Sequence, residues 1–306
     1  MKIDGVSVLV AGEERAVAAT GRTLVVAVAP DKATIIPDFL PPIETCVDEV
    51  ADALEALEEP EALVTVWDDM RKARADQRPI YFRLDTHWTN AGAGVMGEAI
   101  VNTLATDGWS DDAVRELGEV DHEGDLTVIL GLPDTEPTEE LEVALPGPIT
   151  TREVRTLQTP TGEEVTSVVA VDFGVDGEVV VPGHTLVMHD SFGWALTPMI
   201  APDFETSTIV AETDPEPGFL WPELNAAQAI VHVSVQRELH ETILERDLGA
   251  GFIAAYADSY DRAHGGTLDP GMSVEVDGRP GFDHYVVVDL EAGADGSEVS
   301  FGDRTV

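Results

Sequence analysis

The chain has 306 residues, 43% of them hydrophobic, which is enough for one large α/β domain with a packed core and a small additional module. Its 59 acidic and 17 basic residues give a formal net charge of −42. This charge argues against nucleic acids and anionic membranes as partners, because phosphate groups require a basic surface. Cys46 is the only cysteine, so an intrachain disulfide and a cysteine metal cluster are excluded.

The N-terminal segment lacks the features of a signal peptide. It has no charged start followed by an apolar run and a small-residue cleavage site. No stretch of the chain approaches the ~20 apolar residues of a membrane span. We therefore expect either a cytosolic protein or an anchor that lies outside this sequence.

Short apolar runs alternate with helical patterns along the chain, which is typical of βα units on a mostly parallel sheet. Thr89 or Asn90 is expected to cap the helix predicted at 90–105. In chain order the predicted elements are a buried strand at 23–29, a helix at 44–58, a strand at 63–66, a helix at 67–76, a strand at 80–82 and a helix at 90–105.

The second half contains fewer helical patterns. Residues 133–150 are rich in Pro, Glu and Thr and predict a surface loop. The remaining predicted elements are a hairpin over 151–181 with its turn at 160–162, strands at 185–188, 208–211 and 229–235, and helices at 191–200 and 236–245. From Gly251 onward, Gly and Asp punctuate short β-type runs. We predict one domain over 1–245 and a small β-rich module or sheet extension over 246–306.

The segment around Ser191 has the pattern of a catalytic serine. An apolar strand ends at Met188, the serine follows at a tight turn, and a helix then begins. This arrangement exposes the hydroxyl at the carboxyl edge of a sheet, where α/β proteins place their sites. The N–H groups at the start of the helix, including that of Ser191, could stabilise an oxyanion.

Asp85 and His87 could supply the base that a serine nucleophile requires. They are two residues apart, so in an extended segment both side chains point to the same side. Asp85 can then accept from His87 Nδ1, which leaves Nε2 for the Ser191 hydroxyl. A histidine pKa near ~6.5 suits a general base at neutral pH.

Two other interpretations compete with this triad. A serine after a strand is often only a helix cap. Carboxylate and imidazole groups are also metal ligands, so Asp85, His87, His189 and Asp190 could bind zinc or manganese. The occurrence of both segments in strand-then-loop contexts favours the triad, with no metal and no cofactor.

The two segments Asp85-Thr86-His87-Trp88 and Asp190-Ser191-Phe192, in this order, resemble the AlgX/AlgJ-type SGNH-hydrolase-like family of alginate and related polysaccharide O-acetyltransferases. Weaker similarities occur at 25–35, at 124–126 and at 229–240. The resemblance extends over about residues 20–245. It implies a flavodoxin-like three-layer α/β/α sandwich, in which Ser191 carries the acetyl group, His87 is the base and Asp85 orients it.

Further residues in and near these segments are candidates for supporting roles. Phe192, Asp190, Trp88 and His189 are candidate substrate or oxyanion residues, although Trp88 fits core packing as well as sugar stacking. His189 stands where many members of the family have Gly, so it either restricts the backbone or lines the pocket. For Arg237 we expect a salt bridge or a surface position. For Lys32 we expect a solvated turn position, with anion binding as the alternative.

The resemblance implies an O-acetyltransferase that modifies a hydroxyl of a cell-surface polysaccharide or exopolysaccharide. It further implies an extracytoplasmic location, an anchor absent from this chain and a membrane O-acyltransferase that supplies the acetyl donor. The negative charge favours a neutral glycan. The alternatives are a carbohydrate esterase with the same triad, a catalytically silent glycan-binding subunit of an exopolysaccharide machine, and a metal-dependent hydrolase.

Overall fold

The structure is a computed structural model. Apart from isolated gaps it describes residues 21–39, 60–131, 134–158, 164–211 and 226–239. It also describes parts of 10–18 and 51–56, residues 223 and 224, and four short strands between 277 and 301. The predicted helix at 44–58 lies largely outside the described residues, although 51–54 are helical. The predicted turn at 160–162 and most of the predicted helix at 236–245 also lie outside them.

A seven-stranded sheet forms the centre of the molecule, in the order β2-β1-β9-β7-β8-β6-β5. Its first five strands are parallel, and β6 and β5 continue it in antiparallel pairing. The strands are β1 (Thr23–Ala29), β2 (Leu63–Thr65), β5 (Ile149–Gln158), β6 (Glu164–Val175), β7 (Val181–His189), β8 (Phe204–Ala211) and β9 (Ala229–Val235). The predicted α/β fold with a mostly parallel sheet is thereby confirmed, as is the hairpin formed by β5 and β6.

The central strands are apolar along nearly their whole length because both of their faces are buried. All seven residues of β9 and six of the seven in β1 are buried. Covering both faces is usual for parallel sheets, whose crossover helices pack against them. Neighbouring parallel strands also place their carboxyl ends at one edge of the sheet, which here brings together the residues that follow β1, β7 and β9.

Five helices are described: α1 (Lys32–Ile35), α2 (Trp67–Ala75), α3 (Asn90–Leu104), α4 (Asp125–Leu130) and α5 (Gly193–Ile200). Thr89 caps α3, since its hydroxyl accepts a hydrogen bond from the Gly92 N–H at 3.3 Å, as the sequence predicted. Helices α3 and α5 pack against each other, with Gly94 next to Met199 and Gly97 next to Ile200. None of the helices in the described parts of the chain has the length and apolarity to cross a membrane.

A second, two-stranded sheet stands apart from the main one. It pairs β3 (Val114–His122) with β4 (Glu136–Val143) in antiparallel fashion, and α4 forms part of the connection between them. The prediction of a surface loop over 133–150 was therefore wrong for 136–143. These strands are mostly exposed and rich in charged residues, so they lack the alternation of polar and apolar residues that identifies a strand. We name residues 114–143 the β3–α4–β4 unit.

Two further predictions need correction. Residues 80–82 do not form a strand, since Tyr81 makes only an isolated bridge with Trp88. Residues 236–238 form a turn after β9 rather than the first turn of a helix. Near the C-terminus, β10 (Asp277–Arg279) pairs with β11 (Phe282–Tyr285), and β12 (Val288–Asp289) pairs with β13 (Ser300–Phe301). The division into domains at residue 245 stays a prediction.

Candidate active site

The structure brings Ser191, His87 and Asp85 into one hydrogen-bonded chain at the carboxyl edge of the main sheet. His87 Nε2 lies 2.8 Å from Ser191 Oγ, and His87 Nδ1 lies 2.6 Å from Asp85 Oδ1. Ser191 is exposed, while the Asp85 side chain is buried. This is the geometry of a nucleophile, a general base and a carboxylate that fixes the tautomer of the base.

The electrostatics of the pair favour an ionised carboxylate beside a basic imidazole. Burial by itself would raise the pKa of Asp85, but hydrogen bonds from the His87 side chain and backbone, from His122 and from the Asp125 N–H hold that pKa well below its usual range. The hydrogen bond to Asp85 raises the pKa of His87 above its ordinary value, against the opposing effect of burial. Asp85 is therefore suited to stabilise the imidazolium that forms when His87 takes a proton.

The loop that carries the predicted catalytic residues Asp85 and His87 spans residues 83–87, and we name it the catalytic loop. It is held by polar contacts from three other parts of the chain. Lys32 Nζ donates to the carbonyl oxygens of Arg83 and Asp85, at 3.1 and 2.8 Å. Glu136 accepts from the N–H groups of Arg83 and Leu84, at 2.8 and 2.6 Å. Lys32 follows β1 and Glu136 begins β4, so distant segments fix the backbone that carries His87.

Asp125 and Gly124 hold the far end of this loop. The Asp125 carboxylate accepts from the Thr86 N–H at 2.8 Å and from the Thr86 hydroxyl. Gly124 lies so close to the loop that a Cβ there would be 1.9 Å from the Leu84 carbonyl oxygen. The sequence had singled out residues 124–126 only by resemblance, and the structure shows that they contact the catalytic loop.

Ser191 is positioned mainly by buried groups. Asp190 accepts from the N–H groups of Phe192 and Val235, at 2.8 and 2.6 Å, which ties the turn to the end of β9. Burial raises the pKa of Asp190 to about 6. Trp88 Nε1 donates to the Phe192 carbonyl oxygen at 2.9 Å. Because Trp88 follows His87 and Phe192 follows Ser191, this bond links the two halves of the site.

The four tentative substrate residues are all buried, and their contact with a substrate stays a prediction. Trp88 and Phe192 are fully buried and pack edge to face, with ring centroids 5.1 Å apart. The Asp190 carboxylate accepts the two backbone hydrogen bonds described above. His189 is 1% exposed, and its Nδ1 lies 2.7 Å from the Asp190 carbonyl oxygen. Gly193 lies directly over His189, where a Cβ would be 2.0 Å from the imidazole.

The N–H groups at the start of α5 are not equally available for an oxyanion. That of Phe192 donates to the Asp190 carboxylate, and that of Gly193 donates to the Asp190 carbonyl oxygen at 3.1 Å. This leaves the N–H of Ser191 itself as the candidate donor of the three. Helix α5 thus contributes less to an oxyanion hole than the sequence suggested.

Two basic residues have clear structural roles. Lys32 is not the solvated turn residue that the sequence predicted, because its ammonium group is bound to the catalytic loop. Burial lowers its pKa, against the raising effect of Glu136, Asp85 and Asp125. Arg237 forms the expected salt bridge, with Nη1 2.8 Å from Asp31 Oδ1. Its guanidinium also lies over the Phe192 ring, 5.2 Å from the centroid.

Sequence reasoning missed His122 and Glu136. His122 ends β3, and its Nε2 lies 2.8 Å from Asp85 Oδ2. In the pairing of β3 with β4 it stands opposite Glu136. The charged segments 119–125 and 136–143 gave no signal for these contacts, because both depend on the register of a strand pair that the pattern did not reveal.

Asp85, His87 and Asp125 could also hold a metal ion, since each offers a ligand atom and these atoms lie within 4.8 Å of one another. A metal there would replace the hydrogen bond between Asp85 and His87 and those from Thr86 to Asp125. His189 and Asp190, which the sequence had included in the rival metal site, are not part of this group. An experiment with a chelator separates the two arrangements.

Comparison with known proteins gives a match to one family model and to several solved structures. The model of the family described as SGNH hydrolase-like domain, acetyltransferase AlgX, matches residues 3–163, which is just over half of the chain. No curated protein sequence matches the chain.

Several solved structures share the fold. PatB1 of Bacillus cereus with a sulfonyl adduct has a TM-score of 0.57 at 13% identity, over 80% of this chain and 93% of that one. The O-acetyltransferase domain of Pseudomonas putida AlgJ has a TM-score of 0.52 at 18% identity, over 83% and 89%. A DHHW family protein from Eubacterium siraeum has a TM-score of 0.51 at 12% identity, over 87% and 89%.

Proposed function

Because the chain belongs to the SGNH hydrolase-like family of the acetyltransferase AlgX, we propose that it is an O-acetyltransferase in which Ser191 carries an acetyl group to a polysaccharide hydroxyl. The observation that supports this most directly is the unbroken hydrogen-bond chain from Ser191 Oγ through His87 to Asp85. Ser191 is exposed at the end of this chain, so an ester can approach it.

In the first half of the proposed reaction, His87 Nε2 takes the proton of Ser191 while Oγ attacks the acetyl carbonyl carbon. The Ser191 N–H stabilises the oxyanion of the tetrahedral intermediate. The intermediate collapses when its bond to the leaving group breaks, and the imidazolium returns the proton to that group. Asp85 stabilises the imidazolium throughout, and the product is an acetyl ester on Ser191.

In the second half, a sugar hydroxyl replaces the leaving group. His87 Nε2 takes its proton, and the oxygen attacks the acetyl-serine carbonyl. The bond to Ser191 Oγ then breaks, and Ser191 regains its proton from His87. The acetyl group ends on the glycan, and the enzyme returns to its starting state. The scheme uses no metal and no bound cofactor.

The surface near Ser191 supports a carbohydrate as acceptor. Trp194 lies three residues after Ser191 and is 65% exposed, with its ring edge to face on the buried His189 at 5.2 Å. An exposed, fixed indole offers the flat apolar surface on which a sugar ring can stack. The formal net charge of −42 favours a neutral glycan over a polyanion.

The acetyl donor and the location belong to the same proposal. A membrane O-acyltransferase would hand over the acetyl group, which places this domain outside the cytoplasmic membrane with an anchor beyond the present sequence. The domain of Pseudomonas putida AlgJ that shares this fold is an O-acetyltransferase domain, which supports transfer as the activity.

A carbohydrate esterase is the second candidate, and the exposure of the site favours it. Ser191 is exposed and the His87 side chain is 26% exposed, so water can reach the acetyl-serine. The same two steps then end in hydrolysis. A catalytically silent glycan-binding subunit is less well supported, because it would have no need for an aligned triad.

Three reactions with p-nitrophenyl acetate test the proposal. Release of p-nitrophenol measures acylation of the enzyme. Acetylation of an added neutral oligosaccharide measures transfer, and the rate with a chelator present tests for a metal hydrolase. We expect activity that resists chelation, falls by at least about a thousandfold in Ser191→Ala, and yields acetylated sugar. Hydrolysis without sugar acetylation would favour the esterase, and loss of activity with chelator would contradict the triad.

A further inference from the structure

The Asp85 carboxylate lies between two imidazoles. Oδ1 accepts from His87 Nδ1 at 2.6 Å and from the His87 N–H at 2.9 Å. Oδ2 lies 2.8 Å from His122 Nε2 and accepts from the Asp125 N–H at 3.2 Å. Each carboxylate oxygen is thus assigned to one histidine. The triad accounts for Oδ1 and leaves the second histidine without a role.

The position of His122 is itself well fixed. Its ring stacks on Phe82, with centroids 3.8 Å apart and planes inclined by 14°. Its backbone ends β3 opposite Glu136, whose carboxylate binds the N–H groups of Arg83 and Leu84. The strand register, the ring stack and the loop contacts therefore aim Nε2 at Asp85 from a rigid support.

A carboxylate can rotate about its Cβ–Cγ bond, and rotation of Asp85 would break its bond to His87 Nδ1. Hydrogen bonds to Oδ2 oppose that rotation. The Asp125 N–H is one donor to Oδ2, at 3.2 Å, whereas His122 Nε2 lies 2.8 Å from the same oxygen. His122 provides the shorter bond, so it contributes most of the restraint on the second oxygen.

We propose that His122 is a positioning residue for the acyl transfer proposed above: by donating from Nε2 to Asp85 Oδ2, it holds the carboxylate in the orientation that aligns His87 with Ser191. This inference rests on the proposed function. His122 does not touch the reacting atoms, so its effect reaches them only through Asp85 and His87.

Two substitutions separate this role from simple support of the fold. His122→Phe keeps an aromatic ring to stack on Phe82 and removes the donor. His122→Gln places an amide N–H near the position of Nε2 and removes the ring. His184→Phe, on β7, is the matched control, because this half-buried histidine bonds Thr206 and Thr208 instead of the site.

Kinetics with p-nitrophenyl acetate across pH give the first readout. In His122→Phe we expect kcat to fall by about ten- to one-hundredfold, since misplacement of a catalytic group by ~1 Å costs up to about 10²-fold. KM should be unchanged, and the acid limb of kcat/KM should move to lower pH as His87 loses its aligned carboxylate. His122→Gln should recover most of kcat, and His184→Phe should match the wild type.

Proton NMR gives a readout that needs no turnover. The His87 Nδ1 proton, assigned by its loss in His87→Ala, should give a downfield resonance in the wild type and in His122→Gln. In His122→Phe it should shift upfield or vanish while circular dichroism shows a native fold.

Three results would overturn the inference: an unchanged resonance in His122→Phe, a wild-type pH profile in that variant, or an acid limb that moves to higher pH with full kcat. The last of these results would mean that the hydrogen bond from His122 only reduces the negative charge that Asp85 presents to His87 and does not orient the carboxylate. If Ser191→Ala keeps wild-type activity, the proposed function fails, and the resonance alone decides the role of His122.

Discussion

The two halves of the site are held in place by different forces. Ser191 follows the carboxyl end of β7, next to the buried residues Asp190 and Phe192. Asp85 and His87 lie on a loop with no regular secondary structure, held by Lys32 and by the β3–α4–β4 unit. Buried side chains and buried hydrogen bonds thus position the nucleophile, whereas hydrogen bonds and charges at a partly exposed loop position the base.

This difference predicts how substitutions in each half affect stability and activity. Packing defects in a core lower the free energy of unfolding, because the interior is close-packed and small changes in side-chain volume are not easily accommodated. Polar contacts at a partly exposed loop each contribute little to stability, yet they decide where His87 lies. We therefore expect changes near Ser191 to lower stability, and changes near Asp85 to lower activity in a protein that still folds.

The largest effect should come from Asp85→Asn. The amide can present an N–H to His87 Nδ1, which favours the wrong tautomer and no longer stabilises the imidazolium, so kcat should fall by about 10³- to 10⁴-fold, as in serine proteases. Steady-state ester hydrolysis measures this, with circular dichroism to confirm the fold. A fall of less than about tenfold would mean that Asp85 does not orient the base.

Two glycine substitutions sharpen the comparison between the halves. In Gly124→Ala the new Cβ would press on the Leu84 carbonyl oxygen, so the loop must move, and activity should fall by about 10²-fold at small cost in stability. In Gly193→Ala it would press on buried His189, so stability should fall by about 1–3 kcal/mol. Thermal unfolding and kcat on both variants test this, and a reversed order would contradict the division of roles.

Glu136→Gln should have a smaller effect. One oxygen of Glu136 becomes an NH₂ group, which cannot accept from the N–H of Arg83 or Leu84. We expect kcat to fall by about tenfold and KM to stay constant. Glu139→Gln, further along β4, is the control and should behave as the wild type. Equal effects of the two substitutions would show that overall charge, rather than the hydrogen bonds to the loop, matters.

The smallest expected effect is a shift in pH dependence. Only neutral His87 can take the Ser191 proton, and the hydrogen bond to Asp85 raises the pKa of His87. The rise of kcat/KM with pH should therefore have its midpoint above the ordinary histidine value of ~6.5. Ester hydrolysis from pH 5 to 9 measures it, and a midpoint below ~6 would contradict the contact with Asp85.

The same contrast explains what could be predicted from the sequence. Strong sequence signals mark the strands at 23–29 and 229–235, because burial on both faces requires continuous apolar runs. The serine turn is marked by the apolar strand β7 that precedes it. The spacing of Asp85 and His87 was visible as well. These signals are local, and each depends on a few consecutive residues.

The supports of the base gave no local signal. Lys32 lies 53 residues from Asp85, His122 lies 37 away, and Glu136 lies 53 from Arg83. Lys32 looked like a solvated lysine, and the segment that contains Glu136 looked like a loop, because their composition is polar and their partners are distant. Proximity to Ser191 or His87 in sequence also did not reveal that the four tentative substrate residues are buried.

Covalent labelling of Ser191 tests the central claim most directly. A fluorophosphonate reacts with a serine whose hydroxyl is activated by a base, so intact mass and peptide mapping identify the residue. We predict one adduct, on the peptide that contains Ser191, which disappears in Ser191→Ala and is strongly reduced in His87→Ala. An adduct on another residue, or equal labelling of Ser191 with and without His87, would contradict the account.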